Sequence, residues 1–222
     1  VLIPLDDAAA GAPSHSIHLK PLAEDALSLP VRTGKARVIG IEPASLVTKS
    51  LVREVKTDDA GCFQSALNPG LTKIAVIERH KRTGKRGIGI LEGYGLTGGA
   101  IATTISHDSH NIVVAGDNDP DMLLAVRELA DMGGGIVSVH GGAIRRLPLP
   151  IAGLMTSADP QEVNAVLHDM LVAARAELGI PEDVEPFMTL SFMALPVIPE
   201  LKLTARGLFN VNTFSFVGVE AD

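Results

Sequence analysis

The chain has 222 residues, of which 46% are hydrophobic, and a formal net charge of −7. That length and apolar content supply a core for one large or two small globular units. The acidic balance, the absence of Trp and the single Tyr94 exclude a nucleic-acid surface, which needs a basic stripe and stacking platforms.

Residues 1–35 carry Pro4, Pro13, Pro21 and Pro30 with an Ala/Gly patch around residues 8–12, the composition of an extended connector. A chain that opens on Val1 after a processed or cut end, with such a connector, points to something upstream. No run approaches the ~20 apolar residues of a membrane span, and the N-terminus lacks a basic segment followed by an apolar stretch. With one cysteine, Cys62, and hence no intrachain disulfide framework, a cytoplasmic location is expected.

From residue 36 onward, short apolar runs at 37–41, 51–55, 72–78 and 87–92 are separated by Gly, Pro, Asn and Asp, the pattern of strands joined by turns. A Gly-rich stretch, 93–106, follows. NDPDMLLAVRELADMGGG predicts a helix with Asp119 as N-cap, Pro120 at its first position and Gly133 as its stop. Residues 135–140 and 143–147 are further strand candidates. SADPQEVNAVLHDMLVAARAELG repeats the device, with Asp159 as cap and Glu162 completing a capping box. Its apolar stripe is Val163, Val166, Leu167, Met170, Leu171, Ala174 and Leu178. The run 187–198, with Met188 and Met193, suits core or interdomain packing. The predicted fold is α+β: a mixed, largely antiparallel β-sheet packed with two main helices, over residues 36–222.

Between two strand-like runs lies SHDSHN, residues 106–111. Five adjacent polar side chains there are either held by local hydrogen bonds, as in an Asx-type turn, or aimed at a ligand. His107 and His110 are three apart, but their β-branched flanks favour a turn over the helix that a shared metal would need. Glu78, Arg79 and His80 end the 72–78 strand either as a buried acid and base or as its exit into solvent. The basic residues at 79–86 and at 145–146 suit solvated loops. Cys62 has no paired His in its local sequence, and His15 and His18 lie in the connector without an assigned role. No GxSxG, phosphate loop or zinc-deaminase signature occurs, so self-contained chemistry is not visible.

Three segments together carry a resemblance: KIAVIERHKRTGKRGIGILEGYGLTGGAIATTISHDSHNIVVAGDNDPDM (73–122), LPLPIAGLMT (147–156) and PFMTLSFMALPVIPELKLTARGL (186–208). They resemble the C-terminal region of bacterial adenine deaminases of the amidohydrolase superfamily. The resemblance implies hydrolysis of adenine to hypoxanthine and ammonia by a metal-activated hydroxide. It also implies a catalytic barrel upstream of this chain, holding a dinuclear manganese or iron centre, with no metal bound by this chain alone. Within this chain the SHDSHN segment is then expected to wall or lid the purine pocket. His107 and His110 would donate or relay protons, Asp108 would orient a ring, and Ser109 or Asn111 would bond the purine edge. The expected partners are adenine and the upstream barrel, with no nucleic acid and no membrane, and with homo-oligomerisation open. Two other readings stay open: a purely structural or oligomerisation domain, and a small hydrolase using Cys62 or a histidine pair.

Overall fold

The computed structural model describes residues 15–221, so Pro4, Pro13 and the Ala/Gly patch lie outside the described residues. Eight strands form one sheet: β1 (Lys35–Ile41), β2 (Thr48–Glu54), β3 (Leu71–Ile77), β4 (Arg86–Glu92), β5 (Gly99–Thr103), β6 (Ile112–Gly116), β7 (Gly135–His140) and β8 (Ala143–Pro148). Their order is β2-β1-β4-β3-β6-β5-β7-β8. Only β1 and β4 pair in parallel; the other neighbours are antiparallel. The hairpin from β7 to β8 turns on two residues, Gly141 and Gly142, at φ of 55° and 82°, the left-handed pair of a type I′ turn.

Strands β5 and β6 are buried along their whole length, and β3 nearly so. This explains their continuous apolar runs, because both faces of the sheet are covered. One face carries Ala75, Ile77, Ala102 and Val114 against α1 (Asp119–Asp131), through Met122, Val126 and Leu129. The opposite face carries Ile74, Val76, Ile101 and Val113. It packs under α2 (Pro160–Ala176), α3 (Pro186–Phe192) and a small sheet of β9 (Leu201–Thr204), β10 (Gly207–Asn210) and β11 (Ser215–Phe216). The mixed, largely antiparallel α+β architecture thus matches the expectation, with α3 and the small sheet added to it.

Residues 15–34 have no helix or strand, but Ala26, Leu27, Leu29 and Val31 are buried. Their backbone is tied down as well. Val31 N–H donates to Gly61 O at 2.9 Å, and Phe63 N–H donates to Leu29 O at 2.8 Å.

The first helix begins one residue earlier than expected. Asn118, not Asp119, is the N-cap, its side chain accepting from Asp121 N–H at 2.9 Å. Asp119 instead lies in the first turn and meets Lys73 Nζ at 2.5 Å. Two cap-competent residues stand side by side in NDPD, and the Lys73 amine, buried on β3, draws the second one away. Asp159 caps α2 as expected, accepting from Gln161 N–H at 2.7 Å. The reciprocal Glu162 bond of a capping box is not among the hydrogen bonds of the described residues. Only Met170, Ala173 and Ala174 of α2 are fully buried; Val163, Leu167 and Leu171 of its stripe pack half-buried against the core, and Val166 is exposed. Helix α3 falls in the run 187–198, capped by the Glu185 carboxylate on Met188 N–H.

Candidate functional site

The sheet register brings the site together. β3 pairs β6 with Ile77 opposite Ile112, so residues 78–80, leaving β3, emerge beside residues 109–111, entering β6. The segment that joins β5 to β6 therefore shares one end of the sheet with Glu78, Arg79 and His80.

Glu78 closes its own hairpin, accepting from the N–H groups of His80 at 2.6 Å, Lys81 at 2.7 Å and Thr83 at 2.9 Å, and from the Thr83 hydroxyl at 2.7 Å. Partial burial raises its proton affinity, yet those donors outweigh it and hold the carboxyl at about 2. Of the two readings of this triplet, Glu78 follows the strand-exit one. His80 is exposed as well, its Nε2 2.8 Å from Ser109 O, so the pair is no buried acid and base. Arg79 is 1% exposed and reaches the turn with both backbone and side chain: its N–H meets Asn111 Oδ1 at 3.4 Å, and Nε donates to His110 O.

Within the turn, His107 N–H donates to Ser191 O at 3.0 Å, and the ring lies on Phe192 of α3 with centroids 4.7 Å apart and planes 27° from parallel. His110 adopts a φ of 46° and donates its N–H to Ser106 O at 2.6 Å. Its Nδ1 faces Ser106 N–H at 3.4 Å, which favours the Nε2–H tautomer. Burial first, then the neighbouring His107 and Arg79, depress the His110 pKa against an opposing pull from Asp108, which favours the uncharged ring. The two rings stand 5.8 Å apart. Ser106 is fully buried, and its Oγ has no hydrogen-bond partner among the described residues.

Of the residues expected at the site, His107 and His110 come together. Asp108 and Ser109 are exposed on the same turn. Among the described residues no hydrogen bond joins Asp108 to either ring, whereas Asn111 is 8% exposed and serves Arg79 through its Oδ1. The upstream glycines serve the fold: a Cβ at Gly99 would sit 1.9 Å from Val139 O, and one at Gly95 2.6 Å from Pro181 Cδ. Both glycines thus admit neighbouring protein. Phe192 was missed, because nothing in its local sequence marks a stacking partner 85 residues from His107.

Beside His107 lies an apolar depression of about 270 Å³, lined by Thr103, Ile105, Phe187, Met188 and Phe192. Across α3, Met188 and Phe192 also border a groove of about 530 Å³. Among the described residues no three His, Cys, Asp or Glu side chains converge as metal ligands. Among the described residues no helix is long and apolar enough to cross a membrane.

Fold and site define an α+β module that presents two imidazoles and an apolar depression at one end of its sheet. A family described as the adenine deaminase C-terminal domain matches residues 45–215, and the chain belongs to that family. It is 56% identical over 220 residues to an adenine deaminase of Nitratidesulfovibrio vulgaris, covering 99% of this chain and 38% of that protein. It is 46% identical over 217 residues to adenine deaminase 2 of Carboxydothermus hydrogenoformans, covering 97% of this chain and 37% of that protein. Against an adenine deaminase of Clostridium acetobutylicum it is 44% identical over 205 residues, 92% and 36% of the two chains. The chain thus spans less than two-fifths of the length of these relatives.

Proposed function

We propose that this chain is the C-terminal part of an adenine deaminase and that the SHDSHN turn forms one wall of its purine pocket. The observation that carries this reading is the pairing of His107, laid on Phe192 at the mouth of an apolar depression, with the His110 ring 5.8 Å away. A flat heterocycle needs an apolar surface for its faces and a few directed donors and acceptors for its edge. In the reaction, water oxygen bonds to the ring carbon bearing the amine, the C–N bond breaks, ammonia leaves and hypoxanthine remains. We assign activation of the hydroxide, on manganese or iron, to an upstream barrel in the full-length protein, and no step in this chain runs through a metal.

Within this chain, His110 Nε2–H donates a hydrogen bond to the purine, and His107 moves protons at the ring or the departing amine. The exposed Ser109 hydroxyl bonds the purine edge, and Asn111 contributes what its amide nitrogen can reach. Asp108 biases the nearby rings electrostatically, since it is among the charges acting on His110. The test is turnover of the full-length enzyme. His107→Ala should lower kcat about 10²-fold with thermal stability nearly unchanged, the size of a lost proton-transfer group. Normal kcat and KM in both His107→Ala and His110→Ala would instead favour a purely structural or oligomerisation role.

A further inference from the structure

We infer that Arg79 is a positioning residue: it ties the carbonyl of His110 to the loop at Ala152 and to the segment at Ser16, and so sets the SHDSHN turn in register with the chain that enters from upstream. The inference rests on the reading of that turn as part of the purine site. Arg79 is 1% exposed, and its fork is divided three ways: Nε donates to His110 O, Nη2 to Ala152 O at 3.0 Å, and Nη1 to Ser16 Oγ at 3.0 Å and Ser16 O at 3.2 Å. Its backbone does the same, donating to Asn111 Oδ1 and accepting from His18 N–H at 2.6 Å.

Every acceptor of this guanidinium among the described residues is an uncharged oxygen, and none of the ion pairs among them includes it. A buried cation without a carboxylate partner costs stability that an apolar side chain of similar volume would not. What the rigid fork supplies in return is geometry, since one planar group fixes three carbonyl-bearing segments at once. Those segments are poised for it. His110 and Ala152 hold positive φ values of 46° and 57°, and Gly153 follows at 73° with room only for hydrogen, because a Cβ there would lie 2.9 Å from Nη1. Glu78 is occupied by its own hairpin, and the exposed His80 reaches only the outer side of the turn, at Ser109 O, so the buried contact from the β3 end to His110 is made by Arg79.

The experiment uses the full-length enzyme. Arg79→Lys keeps the charge and loses the fork; kcat should fall about 10-fold or more with KM within about threefold, the signature of misplaced groups rather than lost binding. Arg79→Ala opens a guanidinium-sized space, and guanidinium ion at a sub-denaturing concentration should restore turnover where sodium chloride at equal ionic strength does not. Gly153→Ala, which presses a methyl group on the fork, should lower kcat in the same direction. Turnover within twofold of wild type in Arg79→Lys overturns the inference. So does guanidinium that raises the melting midpoint of Arg79→Ala without raising its turnover. If His107→Ala and His110→Ala both turn over normally, the purine-site reading falls and this inference with it; if they lose turnover and Arg79→Lys does not, only the role of Arg79 falls.

Discussion

Lys202 and Lys73 show how differently this protein treats two buried amines. Lys202, fully buried on β9, donates to Leu46 O at 2.8 Å, and burial pushes its pKa down to about 8. A lysine depressed from 10.5 in the folded state contributes stability that is present above 10.5 and is lost as pH falls to about 8. Comparing wild type with Lys202→Met by urea titration, the wild-type deficit should grow by on the order of 3 kcal/mol over that window and then level off. A difference that does not vary with pH would place the amine in water. Lys73 instead has Asp119 at 2.5 Å and the Leu27 carbonyl at 3.1 Å. Removing Asp119 leaves that amine buried without its acid, so Asp119→Ala should cost about 2 kcal/mol or more, discounted for the partly exposed carboxylate. Asn118→Ala removes the cap and two half-buried bonds from its amide to Asp117 and Asp121, about 1 kcal/mol in all. Equal losses in the two variants would mean the helix start is misplaced.

At the scale of elements, the sheet is what tolerates least. β5 runs between β6 and β7 with both faces covered, and Gly99 at its start lies so close to Val139 O that any side chain must separate the strands. Gly99→Ala should cost about 3 kcal/mol or more in thermal unfolding, a size reserved for overpacked core sites. The hairpin between β3 and β4 is held differently, by the Glu78 carboxylate on its own turn. A carboxyl held at about 2 gives stability that is complete above pH 4.5 and fades as pH falls towards 2. Glu78→Gln should therefore weaken the protein by about 1 kcal/mol at pH 7, with the difference closing on acidification. A gap that stayed constant down to pH 2 would be incompatible with this role.

On the scale of the whole molecule, the turn, the β3 exit and α3 converge at one end of the sheet, although they come from residues 104–111, 78–80 and 186–192. If a purine sits against that end in the full-length enzyme, saturating hypoxanthine should slow carbethoxylation of His107 or His110 severalfold. Identical modification rates at both rings would remove the turn from the pocket.

The strands between 36 and 148, the Asp159 cap and the two main helices were legible in the sequence, because each rests on short-range rules: alternating or continuous apolar runs, a cap followed by Pro, a glycine stop. So was the polar density of 106–111. Asn118 displaced Asp119 as a cap because of Lys73, a residue 46 positions away. Whether Asn111 faced a ligand or Arg79, and that Gly99 lies against Val139 O, depended on strand register. So did the placing of Arg79 under His110 and of Phe192 under His107. Those contacts arise only when the sheet order puts β3 beside β6 and α3 across its end, and no local pattern of residues encodes a neighbour that the chain reaches only after folding.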